Sequence, residues 1–78
     1  MKPAGSTAAG RAMKVVLNGQ EREVEPGTSI LGLLGALGLD PKGVAVERNR
    51  EIAKKQQYGA TVLCEGDVLE VVHFVGGG

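Results

Sequence analysis

One apolar stripe sets the terms on which this chain can fold. Ile30, Leu33, Leu34 and Leu37 stand at i, i+3, i+4 and i+7, the spacing of one helix face. Thr28 or Ser29 can cap the start, and Gly38 sits where a left-handed residue ends a helix, followed by apolar Leu39. Gly32 and Gly35 fall inside the segment, each costing roughly 1 kcal/mol against Ala. A helix this short and this weakened persists only when packed, and the two glycines are expected to bring it close to a sheet. The rest of the chain supplies that sheet, so the expected class is α+β, with one main helix on one face.

The strands are read from alternation and turns. Met13, Val15 and Leu17 alternate with their neighbours, and Asn18-Gly19 follows at once. Asn-Gly is the strongest short hairpin signal, because both residues tolerate the positive φ of a type I′ turn. Residues 20–25 are highly charged and read as an edge strand, ended by Pro26-Gly27. Asp40-Pro41-Lys42-Gly43 is a turn, Val44-Ala45-Val46 a short strand, and 47–51 a reversal around Asn49. Ile52-Ala53 reads as a strand stub, 54–58 as a helical turn and 61–63 as a short β segment. Glu65-Gly66-Asp67 is a tight turn, and 68–75 is the longest β-favouring run. On that last strand Glu70 belongs in water, which puts Val72 and Phe74 on the same outer face and Leu69 and Val71 toward the core. Two neighbouring exposed apolar side chains mark a contact patch.

Size and charge exclude several functions. With 78 residues there is room for one small core, worth about 3–5 kcal/mol net, and little for a deep active-site cavity. That favours a binding or carrier module. One cysteine makes no internal disulfide and no cysteine-based metal site, so no metal or bound cofactor is expected. Nine basic residues balance nine acidic ones. Setting aside Lys2 and Arg11 leaves seven against nine from Met13 onward, so nucleic acid is not the expected ligand. No apolar run approaches the roughly 18 residues of a membrane span. Residues 1–12 lack apolar periodicity and an h-region. They read as a disordered natural extension, a start upstream of the true Met13, or a cloning remnant. A cytoplasmic protein is expected, with a folded domain over 13–75 and a flexible tail over 76–78.

The tail is the main functional signal. Gly76-Gly77-Gly78 follows directly on Val75. Such a tail is either a frayed end or linker scar, or an arm that carries a terminal carboxylate into another protein's active site. Glycine suits the second task because it threads a narrow channel and accepts strained backbone angles. Three residues reach about 10–11 Å. A carboxylate is a poor electrophile, so transfer requires prior activation as an acyl-adenylate. This chain has no phosphate-cradling G-x-x-x-x-G-K-[ST] loop, which assigns ATP and its use to a partner. Gly32, Gly35 and Gly38 are spaced G-x-x-G-x-x-G, unlike the dinucleotide fingerprint.

The order strand, Asn-Gly hairpin, strand, helix, strands, glycines resembles the ubiquitin-like β-grasp fold. Within it the chain is similar to the ThiS family, the sulfur carriers of thiamine biosynthesis. The likeness covers residues 13–78. It rests on Val15-Val16-Leu17-Asn18-Gly19, on Val44-Ala45-Val46-Glu47-Arg48-Asn49, and most specifically on the closing Glu65-Gly66-Asp67, the apolar strand after it and the final glycines. Family members end in Gly-Gly, matching Gly77 and Gly78; Gly76 lengthens the arm. The resemblance implies a mixed sheet of four to five strands. It implies that a ubiquitin-activating-like adenylyltransferase adenylates Gly78. A sulfur donor fed by a cysteine desulfurase then leaves a thiocarboxylate, and thiazole synthase takes the sulfur. Gly76 and Gly77 would thread the partner's active site, Val72 and Phe74 would dock to it, and the chain itself would be no enzyme. The small subunit of molybdopterin synthase and a ubiquitin-like protein modifier share these features and stand as alternatives.

Other residues have plainer readings. Cys64 beside a strand reads as a small semi-buried apolar filler. His73 lacks a Ser or Cys partner at a defined spacing and reads as structural or rim-facing. Lys54-Lys55 reads as a solvated pair.

Overall fold

The computed structural model describes residues 12–74. Strand β1 is Met13–Leu17, β2 Gln20–Val24, helix α1 Ile30–Ala36, β3 Val44–Arg48, β4 Glu51–Ile52 and β5 Val68–His73. Short 3-10 turns occupy Pro41–Gly43 and Lys55–Gln57. The five strands form one sheet in the order β2-β1-β5-β3-β4. Only β1 and β5 run parallel; the other neighbours are antiparallel. This is the mixed sheet with one helix that the sequence implies.

Local chemistry explains the turns. Asn18 and Gly19 have φ of 49° and 83°, the left-handed pair of a type I′ hairpin, whose twist suits the flanking strands. The charged strand β2 lies at the sheet edge as expected. Its charges discourage pairing with another chain. The reversal between β3 and β4 uses Asn49 and Arg50 at φ of 53° and 73°, so Arg50 holds a conformation that a side chain disfavours. Ser29, rather than Thr28, caps α1, its Oγ accepting from the Gly32 N–H at 3.0 Å. At the other end Gly38 has φ of 75°. The Leu39 N–H donates to the Leu34 carbonyl and the Gly38 N–H to that of Gly35, which together make a Schellman cap.

The core lies between the helix and one face of the sheet. Ile30, Leu33 and Leu34 pack on Val15, Leu17, Val44, Val46 and Leu69, with Leu37 and Leu39 partly buried beside them. Tyr58 and Leu63 complete the cluster from the long β4–β5 connection. Tyr58, read from the sequence only as part of a turn, is 2% exposed.

Three readings are corrected. Gly32 and Gly35 do not bring the helix onto the sheet. Both are exposed, and a Cβ at Gly35 would meet nothing within 4 Å. They sit off the stripe, on the solvent side. The 61–63 segment forms no strand, only a bridge between Ser29 and Val62. Cys64 is exposed rather than semi-buried, because Asp67, not Cys64, fills the interior of the turn. The expectations for residues 1–11 and for Val75 concern positions outside the described residues.

Candidate functional site

The geometry of β5 follows from its alternation. Leu69 faces the helix and is fully buried, while Val68, Glu70 and Val72 face the open side of the sheet. Val72 is 56% exposed and Phe74, just past the strand, 60%. Their exposure matches the reading of the sequence. Register adds neighbours that the sequence did not name. Val72 lies opposite Ala45, and Glu70 opposite Glu47, which in turn lies opposite Ile52. Val68 pairs with Val16. The open face thus carries Ile52, Val68, Val72 and Phe74, broken by the carboxylates of Glu47 and Glu70. Strand pairing brings these residues together from three segments, which linear spacing cannot show.

Phe74 is held at the end of the sheet. Its N–H donates to the Gly43 carbonyl at 2.9 Å. The Lys55 ammonium sits 5.4 Å from its ring centroid, within cation–π range, and donates to the Lys42 carbonyl at 3.1 Å. Lys55 is solvent-exposed as expected, yet it also covers the aromatic ring beside the tail. His73 is exposed and lines the rim of a groove with Leu17, Asn18, Leu37, Leu39 and Val71. Gly76, Gly77 and Gly78, the predicted working arm, lie outside the described residues.

At the opposite end of β5 a polar network holds the strand. Asp67, 6% exposed, accepts from Arg48 Nε at 2.8 Å, Asn49 Nδ2 at 3.0 Å and the Cys64 N–H at 2.8 Å. Burial alone would raise its pKa, but the hydrogen bonds from Cys64, Arg48 and Asn49 outweigh it and hold the carboxyl below its ordinary value. The bond to Asp67 in turn raises the Arg48 pKa, against a smaller desolvation effect. Asn49 also bonds Val68, its Oδ1 accepting from the Val68 N–H at 2.9 Å. The Gly66-Asp67 pair quoted for the resemblance therefore has a structural duty: it starts β5 in register. The Cys64 Sγ stands 3.8 Å from Arg48 Nη2, at the margin of this network.

Among the described residues no group of three or more His, Cys, Asp or Glu is placed to hold a metal ion. No helix of the described residues is long and apolar enough to cross a membrane. A groove of about 500 Å³ runs between β2 and the helix, lined in part by Arg22, Glu25, Ser29 and Leu33. It lies on the helix side of the sheet, away from Val72. The described body thus offers an apolar face and a rigid mount for the segment that follows Phe74.

Comparison with known proteins agrees with this geometry. The ThiS family model matches residues 15–78. A thiazole synthase from Magnetococcus marinus is 53% identical over 66 residues, which cover 85% of this chain and 20% of that protein. The sulfur carrier protein ThiS from Bacillus subtilis is 48% identical over 63 residues, 80% of this chain and 96% of the relative. The crystal structure of a thiamine biosynthesis protein (ThiS) from Geobacter metallireducens superposes with a TM-score of 0.72 at 32% identity, covering 85% of this chain and all of that one. The chain spans only a fifth of the thiazole synthase relatives that it matches.

Proposed function

The chain belongs to the ThiS family, and from that premise we propose that it works as a sulfur carrier in thiamine biosynthesis, with the Gly78 carboxylate as its working group. In this reading a partner adenylyltransferase presents ATP. A Gly78 carboxylate oxygen attacks the α-phosphorus, and pyrophosphate leaves. The acyl-adenylate makes the carbonyl carbon electrophilic, with AMP as a good leaving group. A persulfide sulfur, supplied through a cysteine desulfurase, attacks that carbon and expels AMP. A second thiol then cleaves the sulfur–sulfur bond, leaving a thiocarboxylate on Gly78 and a disulfide on the donor. The thiocarboxylate is an ionised soft nucleophile, and thiazole synthase takes its sulfur.

The observation that carries this reading is the family match, which runs through the last strand and the glycines to residue 78. Two supports stand beside it. The exposed Val72 and Phe74 give partners an apolar surface at the base of the arm. Relatives named thiazole synthase contain a segment similar to this one, which favours thiazole synthase as the acceptor. The chain acts in this cycle as a co-substrate, and ATP binds the partner.

Deleting Gly77 and Gly78 tests the proposal. The shortened chain is expected to keep the melting temperature of the full one and to lose all thiazole formation with the purified partners. Undiminished thiazole formation by the shortened chain contradicts the proposal.

A further inference from the structure

Glu47 and Glu70 lie directly opposite each other on β3 and β5, and both rise on the open side of the sheet. Residues so placed stand about 4.5–5.5 Å apart at Cβ, and like charges there work against the strand pairing. Glu70 is exposed, so water and salt screen that repulsion without removing it. Two neighbouring cations serve other groups. Arg48 lies on the other face, opposite Leu69, and binds Asp67, the only ion pair among the described residues. Lys55 is engaged by the Lys42 carbonyl and the Phe74 ring. The two carboxylates also have apolar company. Ile52, 76% exposed, lies beyond Glu47 on β4, and Val68 and Val72 flank Glu70 along β5, both exposed. Exposed apolar side chains therefore border the pair on three sides, and Glu47 is itself half-buried.

We propose that Glu47 and Glu70 together receive an arginine, which the partner adenylyltransferase presents from within an apolar surface that covers the open face. This rests on the carrier reading above. The occupant follows from charge and shape. Covering the apolar side chains excludes water from the centre of the contact, and two carboxylates left there need a counter-charge. A guanidinium is planar, less strongly hydrated than an ammonium, and carries five donors in a fork that can serve two neighbouring carboxylates at once. A second copy of this chain does not fit, because a two-fold contact centred on this face sets four carboxylates against one another. An apolar surface without a cation does not fit either, since it buries both charges unpaired. The pair thus selects among partners, while Val72 and Phe74 supply contact area.

The test titrates the full chain into the purified adenylyltransferase by calorimetry, at low and at physiological salt. The double variant Glu47→Gln/Glu70→Gln keeps side-chain shape and every exposed apolar residue and removes both charges. Its Kd is expected to rise about 10- to 100-fold and to depend less on salt, with the melting temperature unchanged or raised. Glu23→Gln/Glu25→Gln makes the same change in net charge at exposed positions on the β2 side and is expected to shift Kd by less than about threefold. Phenylglyoxal, which blocks arginines, is then applied to the adenylyltransferase. It is expected to weaken binding of the unsubstituted chain to the level of Glu47→Gln/Glu70→Gln and to leave that variant's Kd where it was. Equal Kd for the unsubstituted chain and Glu47→Gln/Glu70→Gln, an equal rise in Glu23→Gln/Glu25→Gln, or a gap that survives phenylglyoxal overturns the proposal and leaves the carrier reading standing. An unsubstituted chain that neither binds nor supports ATP–pyrophosphate exchange ends the carrier reading and the proposal with it.

Discussion

Replacing Asp67 with Asn removes the charge on which the start of β5 depends. The carboxylate accepts three hydrogen bonds, from Arg48, Asn49 and the Cys64 N–H, and is 6% exposed. A hydrogen bond to a charged group is worth about 1.5–3 kcal/mol and a neutral one about 0.5–1.5 kcal/mol. The Arg48 side chain is 31% exposed, so its share falls at the low end through solvent screening. An amide at this position keeps one acceptor and presents a donor to groups that are themselves donors. The expected loss is about 2–4 kcal/mol. A core of this size is worth about 3–5 kcal/mol net, so most of the stability is at stake and the melting temperature should fall by about 10–30 °C. The pH dependence gives an independent check. The native carboxyl holds its charge to lower pH than in the unfolded chain. Its contribution is therefore whole above the ordinary Asp pKa, about pH 4, and is lost as pH falls through the depressed native value. Urea titrations of both proteins from pH 7 to pH 3 should show a gap that is constant down to about pH 4.5 and narrows below it. A gap under about 1 kcal/mol at pH 7, or one that does not narrow in acid, would refute this account of the network.

Two further perturbations separate docking from folding. Val72→Asp and Phe74→Ala alter exposed side chains, so stability should stay within about 0.5 kcal/mol while KM for the adenylyltransferase rises at least tenfold; an unchanged KM removes the open face from the interface. Arg50→Gly relieves a side chain held at φ 73° and should stabilise the chain by about 0.5–1 kcal/mol in denaturant titrations; a loss of stability would show that the Arg50 side chain contributes more than its backbone strain costs.

What the sequence showed was local chemistry. The Asn18-Gly19 turn, the Ser29 cap and the Gly38 terminus each follow from what one or two residues can do with their own backbone. The burial of Leu69 and exposure of Val72 follow from alternation on a strand anchored by Glu70. Gly32 and Gly35 lie off the Ile30-Leu33-Leu34-Leu37 stripe on a helical projection, so their place on the solvent side is legible in the sequence. Tyr58 was not legible, because an aromatic in a polar, aperiodic segment reaches the core only when the long connection folds over the helix. The Asp67 network was hidden for a related reason: Arg48 and Asn49 meet Asp67 across 19 and 18 residues of chain. The same holds for the hydrogen bonds between the Asn18 side chain and the Val71 backbone. Parallel pairing of β1 with β5 has no local signature; the resemblance implied only that the sheet is mixed.

The most direct measurement is the intact mass of the chain ending at Gly78 after incubation with the adenylyltransferase, ATP and a persulfide donor. Replacement of one oxygen by one sulfur, located by fragmentation at Gly78 and absent when ATP is withheld, is the expected result. A mass that does not change while the partner consumes ATP, or Gly78 found in isopeptide linkage to lysines of other proteins, would contradict it.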